Sequence, residues 1–147
     1  WYEHLIPLDD DTKMDRVFWD KVMLVRAAVS KEVEAIRSKG EIGSSLSAEV
    51  ELYCNEEYFS VLSQLSTVLH FIFITSAASL ADEKFCPDDA IQTEVEGIRI
   101  KVSASEHEKC TRCWHQRFDV GENKEHPELC GRCVNNIDGD GEVRQFA

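Results

Sequence analysis

Cys110-Thr111-Arg112-Cys113 and Cys130-Gly131-Arg132-Cys133 are two C-x-x-C units separated by sixteen residues in a chain of 147. A two-residue gap lets both thiolates of a pair reach one ion from a tight turn, and two pairs at this separation fit a tetrahedral zinc shell. Four thiolates leave no coordination position for water. The expected chemistry is therefore structural, not hydrolytic: one zinc ion per chain, held by Cys110, Cys113, Cys130 and Cys133. Gly131 relieves crowding where the backbone folds under the sulfurs. A thioredoxin-like redox role would need a single C-x-x-C opening a helix in a βαβ setting, whereas here two copies lie among turn formers. A shell of three cysteines and one histidine would recruit His115 or His126, although four cysteines already suffice. Cys54 and Cys86 have no local partners and are expected to pack.

About forty residues with few large apolar side chains cannot bury enough surface to fold alone, so the metal stands in for a core. What such a module presents decides its use, and the candidates are Arg112, Trp114, Arg117, Phe118 and Arg132. An exposed aromatic beside guanidinium groups suits unstacked single-stranded RNA, where stacking contributes about 1 to 3 kcal/mol per base. Trp114 directly follows a ligand, so it either stacks on a base or packs over the cluster as part of a small core; the sequence leaves both open. Charge opposes any broad polyanion surface: 28 acids against 16 Lys and Arg give a formal charge of -12. From Ser105 onward there are 9 acids and 6 bases, so most of the excess lies upstream. Four thiolates around one divalent ion would take that tail to about -5. Any nucleic-acid contact must be local.

The elements that position the cysteines begin with Met14 to Lys39. There Phe18, Trp19, Val22, Met23, Val25, Ala28, Val29, Val33 and Ile36 recur at three- and four-residue steps, the pattern of a long amphipathic helix. Thr12 or Asp15 can cap its start, and Ser38-Lys39-Gly40 supplies a cationic last turn and a terminating glycine. Leu46 to Tyr53 alternates as a strand. Asn55, followed by Glu56 and Glu57, opens a second helix through about Leu65. Leu69 to Thr75 reads as a buried strand, residues 82 to 90 as a loop, and Thr93 to Val102, folded about Glu96-Gly97, as a hairpin. The fold class is α+β: a long N-terminal helix, a small mixed α/β unit and a C-terminal four-cysteine zinc ribbon, divided as 1–39, 40–104 and 105–147. The most apolar stretch, Val68 to Ile74, falls far short of a membrane span of about 18 residues. The start at Trp1 reads as that of an excised or processed piece, soluble and cytoplasmic, with no membrane partner.

Glu108-Lys109-Cys110-Thr111-Arg112-Cys113-Trp114-His115, Leu129-Cys130-Gly131-Arg132-Cys133 and the ending Gly139 to Ala147 resemble the carboxy-terminal end of bacterial isoleucyl-tRNA synthetases. Upstream, Phe18-Trp19-Asp20-Lys21-Val22, Val25-Arg26, Val29-Ser30-Lys31-Glu32 and Ile42-Gly43-Ser44-Ser45-Leu46-Ser47-Ala48 extend the resemblance over essentially the whole chain. It implies a class I synthetase whose catalytic and editing domains lie far upstream, the first helix ending a helical anticodon-binding bundle. It also implies a zinc tail that helps hold the anticodon stem and loop of tRNA(Ile). By motif, the four cysteines carry over as zinc ligands, and Arg112 with Trp114 as the side chains nearest the anticodon. Glu3-His4-Leu5-Ile6 is not the HIGH adenylation motif and Lys13-Met14-Asp15 lacks the rest of a KMSKS loop. No charging activity is expected of this piece by itself, and Asp9-Asp10-Asp11 has no place in the family pattern. Formamidopyrimidine-DNA glycosylases end in a similar paired C-x-x-C finger, but they depend on an amino-terminal proline, and Pro7, Pro87 and Pro127 are internal. A third reading is a purely structural tail in which Trp114 never meets RNA.

Overall fold

The computed structural model describes residues 14–143; Thr12, the Glu3-to-Ile6 and Asp9-to-Asp11 stretches, and Arg144 to Ala147 lie outside them. Helix α1 (Arg16–Ser38) turns Phe18, Val22, Val25, Val29, Val33 and Ile36 inward, the stripe its spacing requires. Asp15 caps it by accepting from the Phe18 amide at 2.8 Å. At its end the Glu41 amide reaches the Ile36 carbonyl and the Gly40 amide that of Arg37, with Gly40 at φ +80°, the left-handed turn expected there.

Strand β1 (Ala48–Cys54) forms the centre of a four-stranded sheet with β2 (Ala77–Asp82), β3 (Ile91–Gln92) and β4 (Ile98–Ala104), in the order β2-β1-β4-β3. β1 runs antiparallel to β4, with Val50 opposite Val102 and Leu52 opposite Ile100, and parallel to β2, with Leu52 opposite Leu80. Parallel neighbours need a crossover. It is made by α2 (Glu56–Leu62), a 3-10 turn through Leu65, and α3 (Leu69–Phe73). Asn55 caps α2 as expected, accepting from the Tyr58 amide at 3.1 Å. The hairpin is present, but its first strand is Ile91–Gln92 and its turn runs from 93 to 97. Gly97 is favoured there by its φ of +81°, and a Cβ would also lie 2.1 Å from the side-chain Nδ2 of Asn55.

One expectation is corrected and one element is added. Leu69 to Phe73 is helix, not strand: Leu69 and Phe73 face the core four residues apart, and the Arg26 side chain of α1 donates to the Ile72 carbonyl at 3.0 Å. Residues 77–82, where the sequence shows no element, form edge strand β2. One hydrophobic cluster joins the α1 stripe to Val50, Leu52, Leu62, Leu65, Leu69, Ile98 and Ile100. Cys54 lies within it, and burial foremost pushes its thiol up to about 12. Cys86 is half-buried outside it. The body is thus a mixed helix and sheet unit. Among the described residues, no helix is long and apolar enough to cross a membrane.

Ile74 ends α3 at φ 58°, where the Ile74 amide donates to Phe71 and the Thr75 amide to His70. A left-handed conformation costs a residue with a side chain roughly 1 to 2 kcal/mol, and glycine relieves it at an entropic cost of about 0.5 to 1 kcal/mol. Ile74 is half exposed and gives up little burial. Ile74→Gly should therefore stabilise the body by up to about 1 kcal/mol, read as a higher urea midpoint.

Candidate metal centre

The first cysteine pair sits in a turn closed by the Lys109–Gln116 bridge, with the Cys110 amide donating to the His115 carbonyl and the Trp114 amide to the Cys110 carbonyl, both at 2.9 Å. The second pair opens helix α4 (Gly131–Asp138), where Cys130 occupies the cap position and Cys133 the first turn. That helix replaces the second half of the expected ribbon. The Thr111 amide ties the two halves together by donating to the Glu128 carbonyl at 3.1 Å. Gly131 donates to the Asp119 carboxylate at 3.2 Å, and a Cβ there would press on the same oxygen at 3.1 Å.

The sulfurs of Cys110, Cys113, Cys130 and Cys133 lie within 4.8 Å of one another, and those of Cys113 and Cys130 are 3.7 Å apart. A tetrahedral zinc–thiolate shell with bonds of about 2.3 Å places its sulfurs about 3.8 Å apart. Donor set and spacing both fit one zinc ion. Electrostatics point the same way. Burial works against a thiolate at Cys110, but amides of Cys113, Cys130 and Arg112 donate to its sulfur and bring it down to about 6. Cys113 and Cys130 are pushed up, by burial foremost. Of these three, Cys110 is thus the sulfur most readily ionised, and Cys113 and Cys130 resist ionising until a cation arrives.

Neither histidine enters this shell. His115 is buried with Nδ1 3.2 Å from the Cys113 carbonyl, and His126 pairs with Asp138 at 2.7 Å. The small core beside the sulfurs is made by Leu129, with Val120 and Val134 against it. Trp114 is not part of it: it is 60% exposed, at φ 67°, with the Lys109 ammonium 5.0 Å from its ring centroid. Arg112 is exposed and donates to the Cys133 sulfur at 3.6 Å, and Phe118 is exposed near His107. Arg117 and Arg132 are engaged instead. Arg117 grips Asp119 through two bonds, at 2.9 and 3.0 Å, while the Arg132 guanidinium lies 4.8 Å from the Phe71 ring centroid and donates to Glu142. Lys109 and Phe71 escaped the sequence reading. Lys109 gave a signal, its place beside Cys110, whereas Phe71 was hidden by taking α3 for a strand.

A zinc finger family found in FPG and IleRS matches residues 108–136. Over 147 residues, all of this chain, 52% are identical to the isoleucine–tRNA ligase of Pseudomonas entomophila (strain L48). The isoleucine–tRNA ligase of Methylococcus capsulatus is 49% identical over 146 residues, or 99% of this chain, and that of Azotobacter vinelandii is 50% identical over 147. The chain matches the carboxy-terminal region of bacterial isoleucine–tRNA ligases. It spans 16% of the length of each of these ligases.

Several links hold the cysteine module to the body. The Ser105 amide donates to the Ser47 carbonyl at 2.8 Å, the Gln116 amide to the Ser76 hydroxyl at 2.7 Å, and the His115 ring packs edge-on to His70 and Phe71 of α3. Burial foremost, then His115, Arg117 and Arg132, pulls His70 down to about 4.

Two outcomes are expected. Cys130→Ser should drop bound zinc from one equivalent toward zero and abolish amide protection over residues 105–143, as read by elemental analysis and hydrogen exchange; retained zinc would contradict a four-sulfur centre. For His70, an unfolded imidazole titrates near 6.5 and the folded one near 4, so the unfolded chain binds more protons between these values. Its contribution to stability is complete above pH 6.5 and is lost as pH falls toward 4. Urea midpoints should fall more steeply across that window for the native sequence than for His70→Gln.

Proposed function

We propose that the chain is the tRNA-contacting carboxy-terminal segment of an isoleucine–tRNA ligase. In this reading one structural zinc, bound by Cys110, Cys113, Cys130 and Cys133, shapes a surface for the anticodon stem-loop of tRNA(Ile). Isoleucylation with ATP takes place in upstream domains, in the cytoplasm. Residues 1–39 close the helical anticodon-binding domain, 40–104 form a junction unit and 105–147 the zinc module.

The observation that carries this is Trp114. A large aromatic immediately after a metal ligand would serve the fold by packing inward, yet its ring is 60% exposed and held out by a left-handed backbone. The knuckle makes that conformation, since the Trp114 amide must turn back to the Cys110 carbonyl. A ring whose face attracts the Lys109 ammonium is suited to a base flanked by phosphates. Arg112 and Phe118 extend the same type of surface. Relatives that match the whole chain favour this reading over a DNA glycosylase, whose support is the finger family at residues 108–136.

The charge of -12 limits the segment's share of the work. Phosphate contacts supply most RNA affinity, so the segment positions and stacks while basic surfaces elsewhere in the ligase attract. Trp114→Ala in the full-length ligase should keep one zinc and lower kcat/KM for tRNA about 5- to 100-fold, the equivalent of one lost stack. Unchanged kcat/KM, or loss of zinc, would instead assign Trp114 a packing role.

A further inference from the structure

Between α3 and the zinc module lies a cleft of about 250 Å³, bordered by Thr67, His70, Phe71, Arg117, Arg132 and Glu142. It is where the body and the module meet, and it collects two guanidinium groups in a strongly acidic chain. Their states differ. Arg117 is committed to both oxygens of Asp119, which in turn accepts from the Gly131 amide, so it serves the module. Arg132 leaves the first turn of α4, is steadied by the Phe71 ring, and gives its Nε hydrogen to Glu142 at 2.5 Å.

The Glu142 carboxylate is delivered by a local fold of the tail. Gly141, at φ +85°, turns the chain back: its amide donates to the Asn135 carbonyl at 3.2 Å and its carbonyl accepts from the Asn135 side chain at 3.0 Å. The Glu142 amide then donates to the Asn136 side chain at 3.0 Å. Arg132 and Glu142 are only 23% and 18% exposed, so the pair is largely withdrawn from water. A planar guanidinium held by an aromatic ring in a half-closed cleft is a phosphate receptor by chemistry, and a carboxylate is the anion that most nearly imitates a phosphate toward arginine. The tail thus supplies an internal anion where an external one fits.

We infer that this cleft is a second RNA contact, in which Arg132 receives one backbone phosphate of the bound tRNA and Glu142 holds that place until the RNA displaces it. This rests on the tRNA-positioning reading above. Displacement balances charge: the carboxylate moves to water and regains its hydration, while the guanidinium exchanges one singly charged, two-oxygen anion for another. Phe71 acts as a positioning residue, keeping the guanidinium facing the cleft. The tail acts as a tethered competitor, so the bare enzyme binds RNA more weakly than Arg132 would allow alone.

The test uses the full-length ligase and its KM for tRNA, with bound zinc measured in every variant. Glu142→Gln should lower the KM about three- to tenfold, because the competitor is removed. Arg132→Gln should raise it, reduce the slope of log affinity against log salt by about one, and make Glu142→Gln silent when the two are combined. Phe71→Leu, which keeps apolar packing but loses the ring, should raise the KM and diminish the gain from Glu142→Gln. A KM for Glu142→Gln that is unchanged or raised would overturn the inference, showing that the pair simply braces Arg132. If Trp114→Ala impairs charging while Glu142→Gln has no effect, only this inference falls; if Trp114→Ala has no effect, the reading beneath it falls too.

Discussion

Four thiol sulfurs held within 4.8 Å of one another cannot all ionise without a cation among them, and the rest of the module is arranged around that constraint. The apolar side chains nearby, Leu129 with Val120 and Val134, bury too little to hold two turns and a short helix together. Backbone amides aimed at Cys110 begin to prepare the centre, and the metal completes it. The first knuckle must fold back tightly enough for the Trp114 amide to meet the Cys110 carbonyl. That single turn drives Trp114 into a left-handed conformation and out of the small core. Metal ligation and display of the aromatic are consequences of one loop geometry.

The body contributes direction rather than chemistry. Its α1 stripe and the β1–β4 pairing form one apolar cluster, and α3 is the part of that cluster's shell that reaches the module. Ser76 sits at the joint: its hydroxyl donates to the Leu46 carbonyl while accepting from the Gln116 amide, so β1's approach and the module's bridge share one buried atom. A rotation of the module about this joint would move Trp114 and Arg132 together. The strained Ile74 that ends α3 lies two residues before that serine, at the point where the chain leaves the seam to become β2.

What could be read from the residues alone follows from how local the cause was. The α1 stripe, the Asp15 and Asn55 caps and the Gly40 stop each depend on residues within one or two turns, and all are present. The cysteine pairs were legible for the same reason. β2 was not, because Ala77-Ala78-Ser79-Leu80-Ala81-Asp82 has little strand preference and becomes a strand only by lying beside β1. Leu69 to Phe73 misled because five residues, four of them apolar, carry no usable period; the deciding contacts, to α1, are remote in sequence. α4 was missed since its first turn is built by the ligand pair, not by an apolar stripe. The exposure of Trp114 was undecidable from the sequence, because the same position beside a ligand serves either packing or display.

The acidic character of the chain then acquires a use. A surface that met RNA through many lysines would hold any RNA, and salt would govern it. Here cations are few and mostly assigned: Arg117 to Asp119, Arg132 to Glu142, Arg112 beside the Cys133 sulfur, Lys109 over Trp114. Under the proposed tRNA-contacting role, with the remaining surface repelling phosphate, only an RNA already oriented by other parts of a larger enzyme would bring a base to Trp114 at low cost. Repulsion elsewhere makes the few attractive points selective, since a misplaced strand meets carboxylates rather than guanidinium groups. In that proposed role the zinc module would add little affinity and much discrimination, the metal's part being to keep the distance between its few attractive groups fixed.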